Sequence, residues 1–102
     1  MKTYREVETQ ILDWAADRLI IPNARPHTQL LKLVSEVGEL CDAEAKGSDL
    51  DREDAVGDIM VCLINYCALR QLDVVACMAL AYEQIKDRKG YVTPDGTFVK
   101  KE

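Results

Sequence analysis

The chain has 102 residues, 48% of them apolar and 30% charged, with a formal net charge of -5. This composition predicts one globular domain over residues 1–102, and the acidic balance excludes a protein built to neutralise a nucleic-acid polymer. The apolar runs are too short for a membrane span, and the start, Met1 to Glu6, is polar and charged, so we expect a cytoplasmic protein without a membrane partner.

The first predicted helix runs from about Thr3 to Leu19. Apolar residues recur at spacings of three and four, with charged residues on the other faces. Trp14 lies on the apolar stripe and is predicted to be a core residue. The next segment, residues 20–28, contains Pro22 and Pro26 and is predicted to be a connector, because proline lacks the backbone donor that a helix needs. His27, in the same connector, is predicted to be exposed.

The second predicted helix extends from about Thr28 to Lys46 and stops at Gly47. One of its faces is apolar. Another face carries polar residues at spacings of three and four, which makes their side chains neighbours. These residues are Gln29, Lys32, Glu36 and Glu39. A surface ion pair between Lys32 and Glu36 is the simpler interpretation of part of this pattern.

The third predicted helix starts in an acidic segment in which Ser48, Asp49 or Asp51 can cap it. The stretch from Ile59 to Leu69 is apolar nearly all round, so this helix is predicted to be central and buried. Asp54, Asp58 and Asn65 recur along one side of it. Capping does not explain Asp58, and a buried charge must be paired or bound to a metal ion.

The fourth predicted helix runs from Asp73 to about Lys89, with a basic end containing Lys86 and Arg88 and a stop at Gly90. Short segments that favour β-structure flank Pro94-Asp95-Gly96, which predicts a small hairpin. The four cysteines lie in apolar patterns and are predicted to be small core residues: Cys41, Cys62, Cys67 and Cys77. The apolar stripes are wide for so short a chain, so we expect a homodimer or homotetramer.

The acidic residues of the second and third helices together suggest a divalent metal site. Mg²⁺ prefers carboxylate oxygens and substrate phosphates as ligands. In such a site the reaction class is metal-assisted hydrolysis of a phosphoanhydride, in which the ion offsets phosphate charge and lowers the pKa of a bound water.

The order of these motifs resembles the MazG-like branch of the all-α nucleoside triphosphate pyrophosphohydrolases. The matching residues are Gln29-x-x-Lys32-Leu33-x-x-Glu36-x-x-Glu39-Leu40, then Gly57-Asp58-Ile59, then Lys86-x-Arg88. The resemblance implies an all-α, four-helix-bundle-like fold and the hydrolysis of a nucleoside triphosphate to its monophosphate and pyrophosphate. It also implies Mg²⁺ as the cofactor, with Mn²⁺ as an alternative ion, and nucleotide-pool cleaning as the role.

By this resemblance, Glu36, Glu39 and Asp58 are catalytic metal ligands, and Lys32, Lys86 and Arg88 contact phosphates. Gln29 and Asn65 complete the predicted substrate-binding set. The sequence departs from the family pattern at Ser35, where a second glutamate is common, and at Ala55, where the glutamate of an ExxD motif is expected. Asp54 is predicted to replace that ligand, because it lies one helical turn before Asp58, whereas Glu53 is rotated away.

Two other interpretations remain open at this point. One is a non-catalytic helical oligomer that serves as an interaction module, for which the missing ExxD glutamate is the best argument. The other stays among enzymes: a dimeric dUTPase or a phosphoribosyl-ATP pyrophosphohydrolase has the same architecture and acidic pattern.

Overall fold

The computed structural model describes residues 1–101. In this range the chain forms five helices and one antiparallel pair of strands. Their bounds are α1 Tyr4–Asp17, α2 Ile20–Asn23, α3 Pro26–Lys46, α4 Asp49–Leu69, α5 Val74–Ile85, β1 Gly90–Val92 and β2 Phe98–Lys100. Two compact units make up the chain, residues 1–72 and the residues from 73 onward. The predicted all-α class is confirmed.

Helix α1 begins with a capping box, in which Thr3 and Glu6 each bond the other's backbone N–H. Ala15 is completely buried. The prediction that Trp14 is a core residue was wrong: it is 43% exposed, and the Arg18 guanidinium lies 4.7 Å from its ring centroid. A cation over an aromatic face stabilises the ring at the surface, so the apolar stripe does not require its burial.

The connector after α1 contains the short helix α2. Within α2, the backbone dihedral angles of Ile21 are not helical. Helix α3 begins at Pro26, two residues earlier than expected, because proline is well suited to a first helical turn. Its end is as predicted: Gly47 has a φ of +73° and its N–H bonds the carbonyls of Ala43 and Glu44. His27 is exposed, which confirms the prediction.

Helices α3 and α4 form the most extensive helix pair of the described chain. The loop between them consists of two residues, Gly47 and Ser48. The Ser48 hydroxyl accepts a hydrogen bond from the Asp51 N–H at 3.2 Å and caps α4. The Arg52 guanidinium then joins the two helices, donating to Glu44 at 2.7 Å and to Asp49 at 2.7 Å. The two-residue loop and this bridge make the pair a helical hairpin.

Helix α4 supplies most of the buried residues of the chain, which confirms its predicted central position. The buried residues of α4 are Ala55, Cys62, Ile64, Asn65 and Cys67. The cysteine prediction is correct for Cys62 and Cys67 and wrong for Cys41 and Cys77, which are exposed. Apolar character alone therefore did not distinguish buried cysteines from exposed ones.

The unit that starts at residue 73 contains α5 and a hairpin. Asp73 caps α5 through the N–H groups of Val75 and Ala76, as predicted. The helix ends at Ile85, four residues before the predicted end at Lys89. Gly90 is not a helix stop but the first residue of β1, where a Cβ would lie 2.1 Å from the Val99 carbonyl oxygen. The close approach of the two strands therefore requires glycine.

The predicted hairpin is confirmed, with Tyr91 opposite Val99 and Val92 opposite Phe98. Gly96 has a φ of +90°, and the Thr97 N–H donates to the side chains of Thr93 and Asp95. The Thr93 hydroxyl also donates to the Asp95 carboxylate, and this bond, followed by the one from the Thr97 N–H, lowers the pKa of the Asp95 carboxyl. Turn chemistry thus explains this segment without a functional role.

No single helix of the described residues is long and apolar enough to cross a membrane. Helices α4 and α5 satisfy that length and composition test only when they are taken together.

Candidate metal centre

Three carboxylates from the α3–α4 hairpin converge on one point. Glu36 and Glu39 lie one turn apart on α3, and Asp58 lies on α4. Each offers one oxygen, and these oxygens all lie within 4.8 Å of one another. Ligands at about 2.0–2.6 Å from one ion are separated by up to about 4–5 Å, so this spacing suits a single divalent cation of the size of Mg²⁺ or Ca²⁺.

The electrostatics of Glu36 also favour a cation at this point. Its Oε2 atom is buried and has no hydrogen-bond partner. Burial raises the pKa of the Glu36 carboxyl, and so do its hydrogen bond with Glu39 and the charges of Glu39 and Asp58, while Lys32 lowers it. Three acidic groups at this distance repel one another when ionised, and a bound divalent ion would relieve that repulsion.

The residue at the position of the missing ExxD glutamate is Ala55, which is 4% exposed. It lines a polar cavity of about 320 Å³ between α3 and α4, together with Glu39 and Asp54. Asp54 is not part of the three-carboxylate cluster, so its role as a fourth ligand stays a prediction. Asp42 and Asp51 also line this cavity. Asp51 had been explained as a possible helix cap, and Asp42 was not among the predicted site residues.

The predicted substrate-binding residues of residues 1–72 differ in their surroundings. Lys32 is exposed, and its charge acts on both Glu36 and Cys62. Asn65 is 3% exposed, and its Oδ1 atom is buried without a hydrogen-bond partner. Gln29 is half-buried on α3. A buried amide oxygen without a partner is costly, which makes Asn65 a good candidate for contact with a ligand or an ordered water.

The sequence predicted that Lys86 and Arg88 lie in the last turn of the fourth helix. In the structure they follow Ile85, the last residue of α5. The Lys86 ammonium forms an ion pair with Glu83 at 2.7 Å. Arg88 lines a groove of about 510 Å³ in the same unit, with Lys89, Lys100 and Lys101. The acidic residues Glu83 and Asp87 also line this groove. The role of Lys86 and Arg88 in contacting substrate stays a prediction.

Two buried side chains have a relation to the cluster that the sequence did not predict: Cys62 was expected only as a core residue, and Glu8 was expected at the surface. Cys62 lies one turn after Asp58, and burial raises the pKa of its thiol, as do the charges of Glu36 and Asp58. Glu8 on α1 was assigned to the solvent face and is instead only 8% exposed. The four-residue spacing from Asp58 could have indicated Cys62, whereas the burial of Glu8 depends on how α1 packs against α4.

Comparison with solved structures identifies the fold. The chain is similar to a MazG-like pyrophosphohydrolase of cyanophage S-2L, whose structure contains dGDP and three catalytic Mn²⁺ ions per active site. The TM-score is 0.71 with 21% sequence identity, over 99% of this chain and 95% of that one. The chain therefore has the all-α MazG-like fold, which confirms the fold implied by the sequence motifs.

Sequence comparison adds one relative. The chain is 31% identical over 75 residues to a protein of Haemophilus phage HP1, described as an uncharacterized 18.2 kDa protein in the rep-hol intergenic region. The match covers 74% of this chain and 46% of the phage protein, so the chain spans about half the length of that relative. No family model matches the sequence.

Proposed function

We propose that the protein hydrolyses nucleoside triphosphates to the monophosphate and pyrophosphate, with Mg²⁺ as cofactor and Mn²⁺ as an alternative ion. The convergence of Glu36, Glu39 and Asp58 within 4.8 Å on a MazG-like fold carries this proposal. A divalent ion held there would offset phosphate charge and lower the pKa of a water molecule. The neighbouring structure with dGDP and Mn²⁺ supports both the ion class and the substrate class.

The residues of this chain have distinct roles in the proposal. Glu36, Glu39 and Asp58 hold the ion, and Asp54 completes the ligand set from the adjoining cavity. Basic side chains contact the phosphates, and polar side chains orient the nucleotide. The first group consists of Lys32, Lys86 and Arg88, and the second of Gln29 and Asn65.

The proposed role is the cleaning of the nucleotide pool by a cytoplasmic homodimer or homotetramer. Large apolar side chains on the α3–α4 hairpin support self-association, because Leu31 is 59% exposed, Val34 69% and Val56 50%. Exposed apolar surface of this kind is typical of protein interfaces. A dUTPase or a phosphoribosyl-ATP pyrophosphohydrolase would use the same acidic cluster, and the substrate panel below distinguishes these activities.

A second candidate is a non-catalytic interaction module. Alanine at position 55 favours it, because this residue cannot supply the ligand that the ExxD motif would provide. In that case the three carboxylates would bind an ion, or remain hydrated, without turnover.

The decisive experiment measures pyrophosphate release from a panel of ribo- and deoxyribonucleoside triphosphates, including dUTP, together with phosphoribosyl-ATP, in the presence of Mg²⁺. We expect release on at least one substrate and a loss of about 100-fold or more in Glu39→Gln and Asp58→Asn, the scale of removing a group that stabilises transition-state charge. Glu44→Gln is the matched control, because Glu44 lies on the same helix but pairs with Arg52. Wild-type release no higher than that of the two variants would sink the enzyme hypothesis.

A further inference from the structure

A largely apolar cavity shares Asp58 with the acidic cluster. It has a volume of about 470 Å³ and is formed between α1 and α4, with Val7, Ile11, Val61 and Ile64 among its walls. Four carboxylates also line it, those of Glu8, Glu53, Asp54 and Asp58. Small-molecule sites have this character: apolar walls, a volume of about 300–1,000 Å³ and a few polar groups that fix orientation.

Asp58 connects this cavity to the proposed metal centre. It contributes an oxygen to the cluster with Glu36 and Glu39 and also lines the cavity. A nucleotide whose phosphates lie at the cluster therefore has an apolar space next to them. The transfer of a flat aromatic base from water to a space with apolar walls is favourable.

Glu8 is the buried acidic residue in the lining of this cavity. Its side chain is 11% exposed, and each carboxylate oxygen already accepts one hydrogen bond, Oε2 from the Tyr4 hydroxyl at 3.0 Å and Oε1 from Arg5 at 2.6 Å. A carboxylate has about four acceptor positions, so both oxygens can accept another bond. Burial, followed by the hydrogen bond to Glu8, raises the pKa of Tyr4 to about 12, and the hydroxyl remains a donor at neutral pH.

The acceptor-only character of Glu8 restricts the bases that fit. Guanine presents two adjacent donors, N1–H and the 2-amino group, which match the two oxygens of one carboxylate. On the corresponding edge, adenine has one donor beside one acceptor, cytosine has one donor beside two acceptors, and uracil has its single donor between two carbonyl oxygens. An acceptor facing a buried carboxylate is repelled and loses its hydrogen bond to water.

We propose that the α1–α4 cavity is the nucleobase pocket and that Glu8 selects guanine by accepting hydrogen bonds from its two adjacent N–H groups. This assignment rests on the proposed function for the position of the phosphates. Tyr4 and Arg5 act as positioning residues, because their hydrogen bonds hold the Glu8 carboxylate in place.

The first test compares GTP with ITP, which differs only by the absence of the 2-amino group. We expect wild type to prefer GTP in kcat/KM by about 10-fold or more, the scale of one bidentate contact to a base. Glu8→Gln presents one acceptor and one donor, so the preference falls to near unity. Asp13→Asn, an exposed acidic residue on the same helix, should retain the wild-type preference. An unchanged GTP to ITP ratio in Glu8→Gln overturns the pocket assignment.

A second test does not depend on turnover or metal. Methyl NMR signals of Val7, Ile11 and Val61 are followed during titration with guanosine and with inosine. We expect saturable shifts that are stronger with guanosine and lost in Glu8→Gln. If the protein releases no pyrophosphate yet binds guanosine through Glu8, the proposed function fails and the pocket stands. If it is active but guanosine leaves these methyl signals unmoved, the pocket fails and the function stands.

A third variant covers the case in which Glu8→Gln does not fold. Val61→Trp fills the cavity from α4 without removing a charged group. We expect it to abolish guanosine binding while Mn²⁺ affinity stays within about twofold of wild type, because the three carboxylates are intact. Guanosine binding at wild-type strength in Val61→Trp contradicts the proposal.

Discussion

The α3–α4 hairpin carries two sets of acidic residues that differ in their electrostatic partners. Near the loop, Glu44 and Asp49 both pair with Arg52 at 2.7 Å. In the middle of the hairpin, Glu36, Glu39 and Asp58 face one another, and one oxygen of Glu36 is buried without a hydrogen-bond partner. The first set is paired with a guanidinium of the protein itself, whereas the second set is a group of carboxylates that could hold a metal ion.

The difference teaches that acidic spacing alone does not indicate function. Both sets combine carboxylates from α3 and α4. In the set that lacks a guanidinium partner, burial and acidic neighbours raise the pKa of Glu36. A cluster with unfavourable electrostatics in the free protein is the one expected to bind a ligand.

The largest expected effect is on Mn²⁺ affinity, which should depend on the central set and not on the set near the loop. Asp58→Asn should weaken Mn²⁺ binding by at least about 10-fold, because removal even of outer partners of a metal site has effects of this size. Asp49→Asn should leave the affinity unchanged. Isothermal titration of both variants checks this, and equal affinities in the two would mean that the central set is not a metal site.

The next effect tests which carboxylate replaces the missing ExxD glutamate. Asp54 shares a cavity with Glu39, so Asp54→Asn should lower both Mn²⁺ affinity and pyrophosphate release by about 10-fold. Glu53→Gln should change either property by less than about twofold. An equal loss in both variants would show that the helical rotation used to choose Asp54 is too coarse.

A third prediction concerns stability and pH in the metal-free protein. Because the folded-state pKa of Glu36 is raised, its favourable contribution is present at low pH and is lost as pH rises through that pKa. Glu36→Gln should therefore be more stable than wild type at neutral pH, and the difference should shrink toward pH 4.5. Thermal unfolding over this range measures the difference, and saturating Mn²⁺ should reverse its sign at neutral pH. A difference that does not vary with pH would contradict the assigned repulsion.

The smallest effect is expected at the satisfied set. Arg52→Ala removes the bridge between α3 and α4, but its partners are largely exposed, Glu44 at 71% and Asp49 at 95% of their side chains. Exposed ion pairs contribute little, so the melting temperature should fall slightly and the Mn²⁺ affinity should not change. Denaturation and titration of the same sample check both statements. A loss of metal binding here would mean that the two acidic sets are coupled.

Local sequence signals predicted most of the fold. Gly47 ends α3, Ser48 caps α4, Asp73 caps α5, and Pro94-Asp95-Gly96 forms the turn of the hairpin. Each of these signals acts within a few residues, so the amino-acid order was sufficient to read them. The same holds for Glu36 and Glu39, which share a face because they are three residues apart on one helix.

Tertiary packing decided the rest, because burial and proximity depend on which helix lies opposite. Trp14 was expected in the core and is exposed under Arg18, while Glu8 was expected at the surface and is buried. The sequence by itself determined that acidic residues are grouped on two helices. Only the packing of α3 against α4 decided that Asp58, and not Asp54, joins the pair on α3, since the contact fixes which turn of each helix faces the other.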